Sequence, residues 1–259
     1  MNKILSVLFF LLFITTSAFA ADMRFAQVDG VRFNPDSTQS VAKFDELIKD
    51  INSQKNIEFV VFTGNNISNA NEKSLKAFLK KAKKLKAPFY VVIGNKDVNK
   101  RKGLSKTTYM KVVRKHVWSH KKIQNPNYIF EKNNVIFLVA DGAKEVVTLP
   151  NGYYKPETLS WIDKELNYYS KNNVIIIQHF PLIPPSEKES YYTFKADEYL
   201  QILNSHKNVK AIVSGHFGVN NEQEINGIIH ISTEEAPKYR IIDILDYDTD
   251  TPTFWSTLR

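Results

Sequence analysis

The chain has 259 residues, a net charge of +8 and no cysteine. That length suffices for one large α/β domain with a sizeable core. The lack of thiols excludes disulfides, thiolate metal ligands and a lipid-modified cysteine at an export cleavage site.

Taken in order, Lys3 opens a short basic start, Ile4–Ile14 an apolar run, and Ala18-Phe19-Ala20 a small-x-small ending. This pattern predicts a signal peptide over residues 1–20, cleaved after Ala20, and a secreted or periplasmic product. The apolar run is short for a membrane span. Residues 21–259 then form a single domain. Phe25–Val28 reads as a first strand running into a turn at Asp29-Gly30. Ser37–Ile51 has a helical stripe of Val41, Phe44, Leu47, Ile48 and Ile51. A strand at Phe59–Phe62 enters the turn Gly64-Asn65-Asn66. Asn69–Lys86 reads as a helix with apolar Leu75, Phe78, Leu79, Ala82 and Leu85 and an outer face nearly all lysine. Pro88 separates it from a strand at Phe89–Ile93.

Lys100–Lys122 reads as a basic insertion, helical over Tyr109–Val117, and Asn134–Ala140 as a buried strand. Pro156 starts a helix over Glu157–Tyr169. The run VIIIQHFP (Val174–Pro181) follows, with four β-branched residues in a row, the mark of a strand buried on both faces. Ala196–Asn204 is a helix and Val209–Ser214 a strand. The end is strand-rich over Gly227–Ser232 and Tyr239–Leu245, with Phe254-Trp255 in a last strand.

Charge is concentrated. Between Lys73 and Lys122 there are 17 Lys or Arg against one acid, Asp97. Such a face suits a polyanion, or simply keeps a helix surface solvated. Its aromatics are few, and Phe78, Phe89 and Tyr90 fall in core elements, leaving Tyr109 and Trp118. Base stacking is therefore not supported. The pattern argues for an anionic lipid surface over sequence-specific nucleic acid.

Four strands end in Gly-Asn-Asn (Gly64–Asn66), Gly-Asn-Lys-Asp (Gly94–Asp97), His-Phe-Pro (His179–Pro181) and Gly-His-Phe-Gly (Gly215–Gly218). α/β proteins place their sites at this rim of the sheet. Asn65, Asn95, His179 and His216 are metal-ligand types, although turn duty and ordinary hydrogen bonding also explain them.

With Gly30-Val31-Arg32 as a first segment, these five resemble, in order, the motifs of the calcineurin-like metallophosphoesterases. Those motifs are Asp-x-His, Gly-Asp-x-x-Asp, Gly-Asn-His-Asp/Glu, a lone His and Gly-His-x-His. The resemblance covers nearly all the mature chain. It implies a four-layer αββα sandwich, two mixed β-sheets flanked by helices. It also implies a dinuclear metal site, which this sequence has edited. The first metal's ligand positions fall on Gly30, Arg32, Asn65 and Gly218. The second's fall on Asn65, Asn95, His179 and His216, leaving three of four donors, so the cofactor is one divalent transition metal (Zn, Mn or Fe) or none. The general-acid histidine is Lys96. Sliding the first motif by one residue would offer Asp29, but alternation along a strand places that side chain on the opposite face. The resemblance therefore implies a phosphoesterase-family protein with impaired catalysis, holding a phosphate-bearing small molecule between Arg32 and Lys96. A single-metal phosphoric ester hydrolase and a non-catalytic binder using the basic face remain the alternatives.

Overall fold

The computed structural model describes residues 22–259, so the expected signal peptide lies outside the described residues. Two mixed sheets pack face to face. The first has the order β11-β10-β1-β2-β3, formed by β1 (Met23–Val28), β2 (Phe59–Phe62), β3 (Phe89–Val91), β10 (Arg240–Leu245) and β11 (Thr253–Leu258). The second, of order β4-β5-β6-β7-β9-β8, contains β4 (Tyr128–Lys132), β5 (Val135–Ala140), β6 (Val174–Gln178), β7 (Val209–Ser214), β8 (Asn221–Ile225) and β9 (Ile228–Ser232). The helices are α1 (Thr38–Ser53), α2 (Glu72–Ala82), α3 (Lys106–His116), α4 (Pro156–Tyr168) and α5 (Ala196–Asn204). The αββα expectation is met.

An aromatic layer joins the sheets. Phe25 stacks on Phe59 at 4.8 Å between ring centroids, and Phe137 meets Phe59 edge-on at 4.9 Å. Phe130 lies flat on Phe137, also at 4.9 Å. On the other face of the first sheet, Phe44 stacks on Phe78 between α1 and α2, and both meet Phe62 edge-on. Each such pair adds about 0.5–1.5 kcal/mol beyond its buried area.

Within each sheet the central strands are parallel: β1 with β2 and β2 with β3, β5 with β6 and β6 with β7. All six therefore end at the same kind of rim, and five of these ends carry the motif loops. The sequence pattern had no signal for β8, whose residues NEQEI alternate between half-buried and exposed. It is held by antiparallel pairing to β9. β4 was likewise unforeseen and pairs with β5.

Candidate functional site

Main-chain hydrogen bonds zip the loops together. Gly30 N–H donates to Gly64 O at 3.0 Å and Arg32 N–H to Asn65 O at 2.8 Å, while Gly215 N–H donates to His179 O at 3.1 Å. Gly64 is required here for two reasons. Its φ is +111°, and a Cβ would stand 2.5 Å from His179 Nδ1. Three non-glycine cleft residues also have positive φ: Arg32 (45°), Asn65 (51°) and His216 (75°). For Asn that conformation is cheap. For Arg and His it is strain that the surrounding contacts must hold.

His179 is fully buried and donates Nδ1–H to Thr63 O at 2.7 Å. In the neutral ring this leaves the Nε2 lone pair facing 3.3 Å to Asn95 Oδ1 and 3.2 Å to His216 Nδ1. Burial above all, then the neighbouring His179 ring and the charges of Arg32 and Lys96, hold His216 down to about 2. Its ring is neutral at any physiological pH. Nε2 of His216 is buried and has no partner of good geometry, although the Pro150 carbonyl lies close enough to favour the charged ring. Tyr191, from the loop after β6, covers the ring at 4.7 Å between centroids.

The expectation for the first motif is corrected. Asp29, not Gly30, stands at the cleft. Its Oδ1 accepts from Thr63 Oγ1 at 3.0 Å, its Oδ2 accepts from His216 N–H at 2.9 Å, and Oδ1 lies 3.6 Å from His179 Nδ1. Alternation does hold: Phe25, Gln27 and Asp29 share one face. That face is the inter-sheet one, where Phe25 meets Phe137 and Gln27 Nε2 donates to Ser214 O. Gly215 must be glycine because its Cβ would fall 1.9 Å from Asp29 Oδ1.

Asn65 is buried, and its Oδ1 accepts from Lys96 N–H at 3.0 Å. Asp97 makes no hydrogen bond to His179 or Lys96. It accepts from Gly94 N–H (2.8 Å), Ile67 N–H (3.0 Å) and Asn66 Nδ2 (3.1 Å), tying the second and third loops together. Burial pushes its carboxyl up to about 6 against those hydrogen bonds. Arg32 is half-buried and ion-paired with Glu235, a residue the sequence reading missed. Its Nε is buried without a partner. Lys96 is exposed at the rim. Its pKa is lowered, first by desolvation and then by Arg32, while Glu235 opposes the shift. Arg32 N–H donates to the Asn65 carbonyl and Lys96 N–H to Asn65 Oδ1, so both cationic residues are tied to the same cleft residue.

A calcineurin-like phosphoesterase model matches residues 33–220. The chain belongs to the calcineurin-like phosphoesterase family. Over 178 residues it is 24% identical to a probable cyclic nucleotide phosphodiesterase of Xenorhabdus bovienii, spanning 67% of each chain. Over 195 residues it is 23% identical to a probable glycerophosphodiester phosphodiesterase of Arcobacter nitrofigilis, covering 71% of this chain and 64% of that one. The match thus spans about two thirds of either curated relative. Among solved structures, a dimetal phosphatase from Danio rerio superposes with a TM-score of 0.66 at 15% identity, over 90% of this chain and 98% of that one. That likeness concerns the fold.

The dinuclear centre implied by the family does not fit these residues. Among the described residues no group of three or more His, Asp or Glu side chains is arranged to hold a metal ion. Of the anions available, Asp29 already has both oxygens committed to Thr63 and His216. Glu235 is committed to Arg32. What converges is a smaller neutral set, His179 Nε2, His216 Nδ1 and Asn95 Oδ1. Donors about 2.1 Å from a tetrahedral ion stand roughly 3.4 Å apart, close to the separations seen here.

Proposed function

We propose that this calcineurin-like phosphoesterase has lost dinuclear hydrolysis and binds a phosphate-bearing small molecule in the former metal cleft. The observation that carries this reading is that Arg32 and Lys96 both anchor on the neutral Asn65, Arg32 N–H donating to its main-chain O at 2.8 Å and Lys96 N–H to its Oδ1 at 3.0 Å. Arg32 Nε is a donor without a partner, and Lys96 has no acidic partner among the described residues, so an anion has two groups to meet without a metal. A guanidinium presents donors in a fixed fork and an ammonium adds a point charge. Glu235 competes for Arg32, which makes the affinity modest. The phosphodiesterase names of the two relatives support a phosphate ester as the ligand class. Export through the N-terminal signal belongs to the same reading, and N-terminal sequencing of the purified protein checks for a start at Ala21.

The test is calorimetric titration of inorganic phosphate and a phosphomonoester into EDTA-treated protein. Binding weakened by Arg32→Ala and by Lys96→Ala is expected. No binding by the unmodified protein, or indifference to both substitutions, overturns the reading. Hydrolysis of phosphomonoesters and phosphodiesters with added Mn²⁺, Zn²⁺ or Fe²⁺ should show no turnover that requires two metals per chain.

A second reading rests on the convergence of His179, His216 and Asn95. These three would hold a single transition metal, which supplies Lewis-acid polarisation of a phosphoryl oxygen. Elemental analysis finding one equivalent, with turnover abolished by His216→Ala, would favour it over the first.

A further inference from the structure

Away from the cleft, α2 and α3 both end at one groove, lined among others by Lys83, Lys86, Pro88, His116, Trp118 and Ser119. Lysines near helix C-termini offset the negative end of the macrodipole, so the charge alone has a local explanation. Trp118 has none. It is 83% exposed, the first residue of a one-turn 3₁₀ segment whose last residue, His120, is among the most buried polar groups. Holding a tryptophan in water forgoes about 2 kcal/mol or more of burial.

The charged residues lining the groove of Trp118 are lysines. Lys115, Lys121 and Lys122 lie within four residues of it along the chain and are exposed, as are Lys83 and Lys86. None of the five has an acidic partner among the described residues, whereas Lys81 and Lys84 are taken by Asp45. Among the described residues no acid lines the groove. Trp255, also exposed, makes the contrast, for its groove contains Glu58 and Asp243. No helix among the described residues is long and apolar enough to cross a membrane.

We infer that Trp118 and the lysines around it form a docking surface for an anionic phospholipid bilayer. The indole would sit at headgroup depth, where tryptophan is favoured. The lysines would meet lipid phosphates, each contributing about a fivefold gain in affinity near the surface. Duplex nucleic acid offers charge without a place for an indole. The sequence reading gave a broad basic face, and the tertiary structure narrows it to one edge with an apolar anchor.

The experiment uses protein beginning at Asp22, which contains both sheets and all five helices, so the apolar N-terminus cannot contribute. Co-sedimentation and tryptophan emission are measured with neutral phosphatidylcholine vesicles and with vesicles containing phosphatidylglycerol, at low and high salt. Expected are binding to the anionic vesicles alone, a blue shift of emission, and loss of both at high salt. Trp118→Ser should abolish the blue shift and weaken binding about tenfold. Lys83→Glu, Lys121→Glu and Lys122→Glu together should weaken it about a hundredfold. Circular dichroism checks that the variants are folded. The inference is overturned by no binding to anionic vesicles at low salt, or by binding that neither variant alters. Tighter binding to duplex DNA, with Trp118 emission unmoved, would also overturn it.

Discussion

Asp29 and His216 stand 187 positions apart in the chain, yet the His216 N–H donates to Asp29 Oδ2 at 2.9 Å in a fully buried setting. This bond, with that from Thr63 to Oδ1, joins the ends of β1, β2 and β7 across the two sheets. A carboxylate in a family of metal enzymes thus serves here as a clamp between loops.

Removing that clamp leaves the buried His216 N–H without an acceptor and Thr63 Oγ1 with only the Val28 carbonyl at 3.3 Å. Asp29→Ala should lower stability by roughly 3 kcal/mol, since a buried hydrogen bond to a charged group is worth about 1.5–3 kcal/mol. Gly215→Ala should cost at least as much, because its Cβ would collide with the same carboxylate. Urea midpoints of both variants provide the measure, and an Asp29→Ala midpoint equal to that of the unmodified chain contradicts the clamp.

Glu235 holds Arg32 by an ion pair at the edge of the cleft. Glu235→Gln should release the guanidinium and strengthen phosphate binding several-fold, the ~1 kcal/mol scale of a partly exposed charge pair. Calorimetry on EDTA-treated protein reads this directly. Unchanged or weaker binding would mean that Glu235 positions Arg32 for the ligand rather than competing with it.

Asn65 is where a charge is missing. Asn65→Asp should raise Zn²⁺ affinity at the cleft about tenfold or more, because a carboxylate near a dication readily supplies ~1.4 kcal/mol. A competition titration against a chromophoric chelator measures the change. Equal affinities for the two proteins would place the metal, if one binds, away from Asn65.

His120 is buried beside β3, and its Nε2 accepts from Val91 N–H at 3.4 Å. Burial holds its pKa down to about 3, against 6.5 for the ordinary group. The unfolded chain therefore binds one more proton than the folded one between these values. The stability is complete above pH 6.5 and is lost as pH falls toward 3. His120→Phe should make the decline with acid shallower by about 1.4 kcal/mol per pH unit in that window. Denaturation curves across the acid range give the slope, and an unaltered slope would show that the ring is solvated.

The sequence by itself determined the elements whose signals are local. β-branched runs marked β2, β5, β6 and β7, whose residues are almost all buried on both faces. Apolar stripes marked α1 and α2, whose buried residues are nearly those read from periodicity. Motif order placed Asn95, His179 and His216 together, because parallel strands all end at the same rim. What depended on contact between distant residues was decided only by the tertiary structure. Asp29 faces the cleft because the second sheet packs on the Phe25 side of β1. Glu235 reaches Arg32 from 203 positions away, and β8 exists because β9 pairs with it. Trp118 is exposed although its neighbours Val117 and His120 are buried. Neither stripe nor strand periodicity constrains a side chain in a single 3₁₀ turn, so its direction followed from how β3 and α3 pack around it.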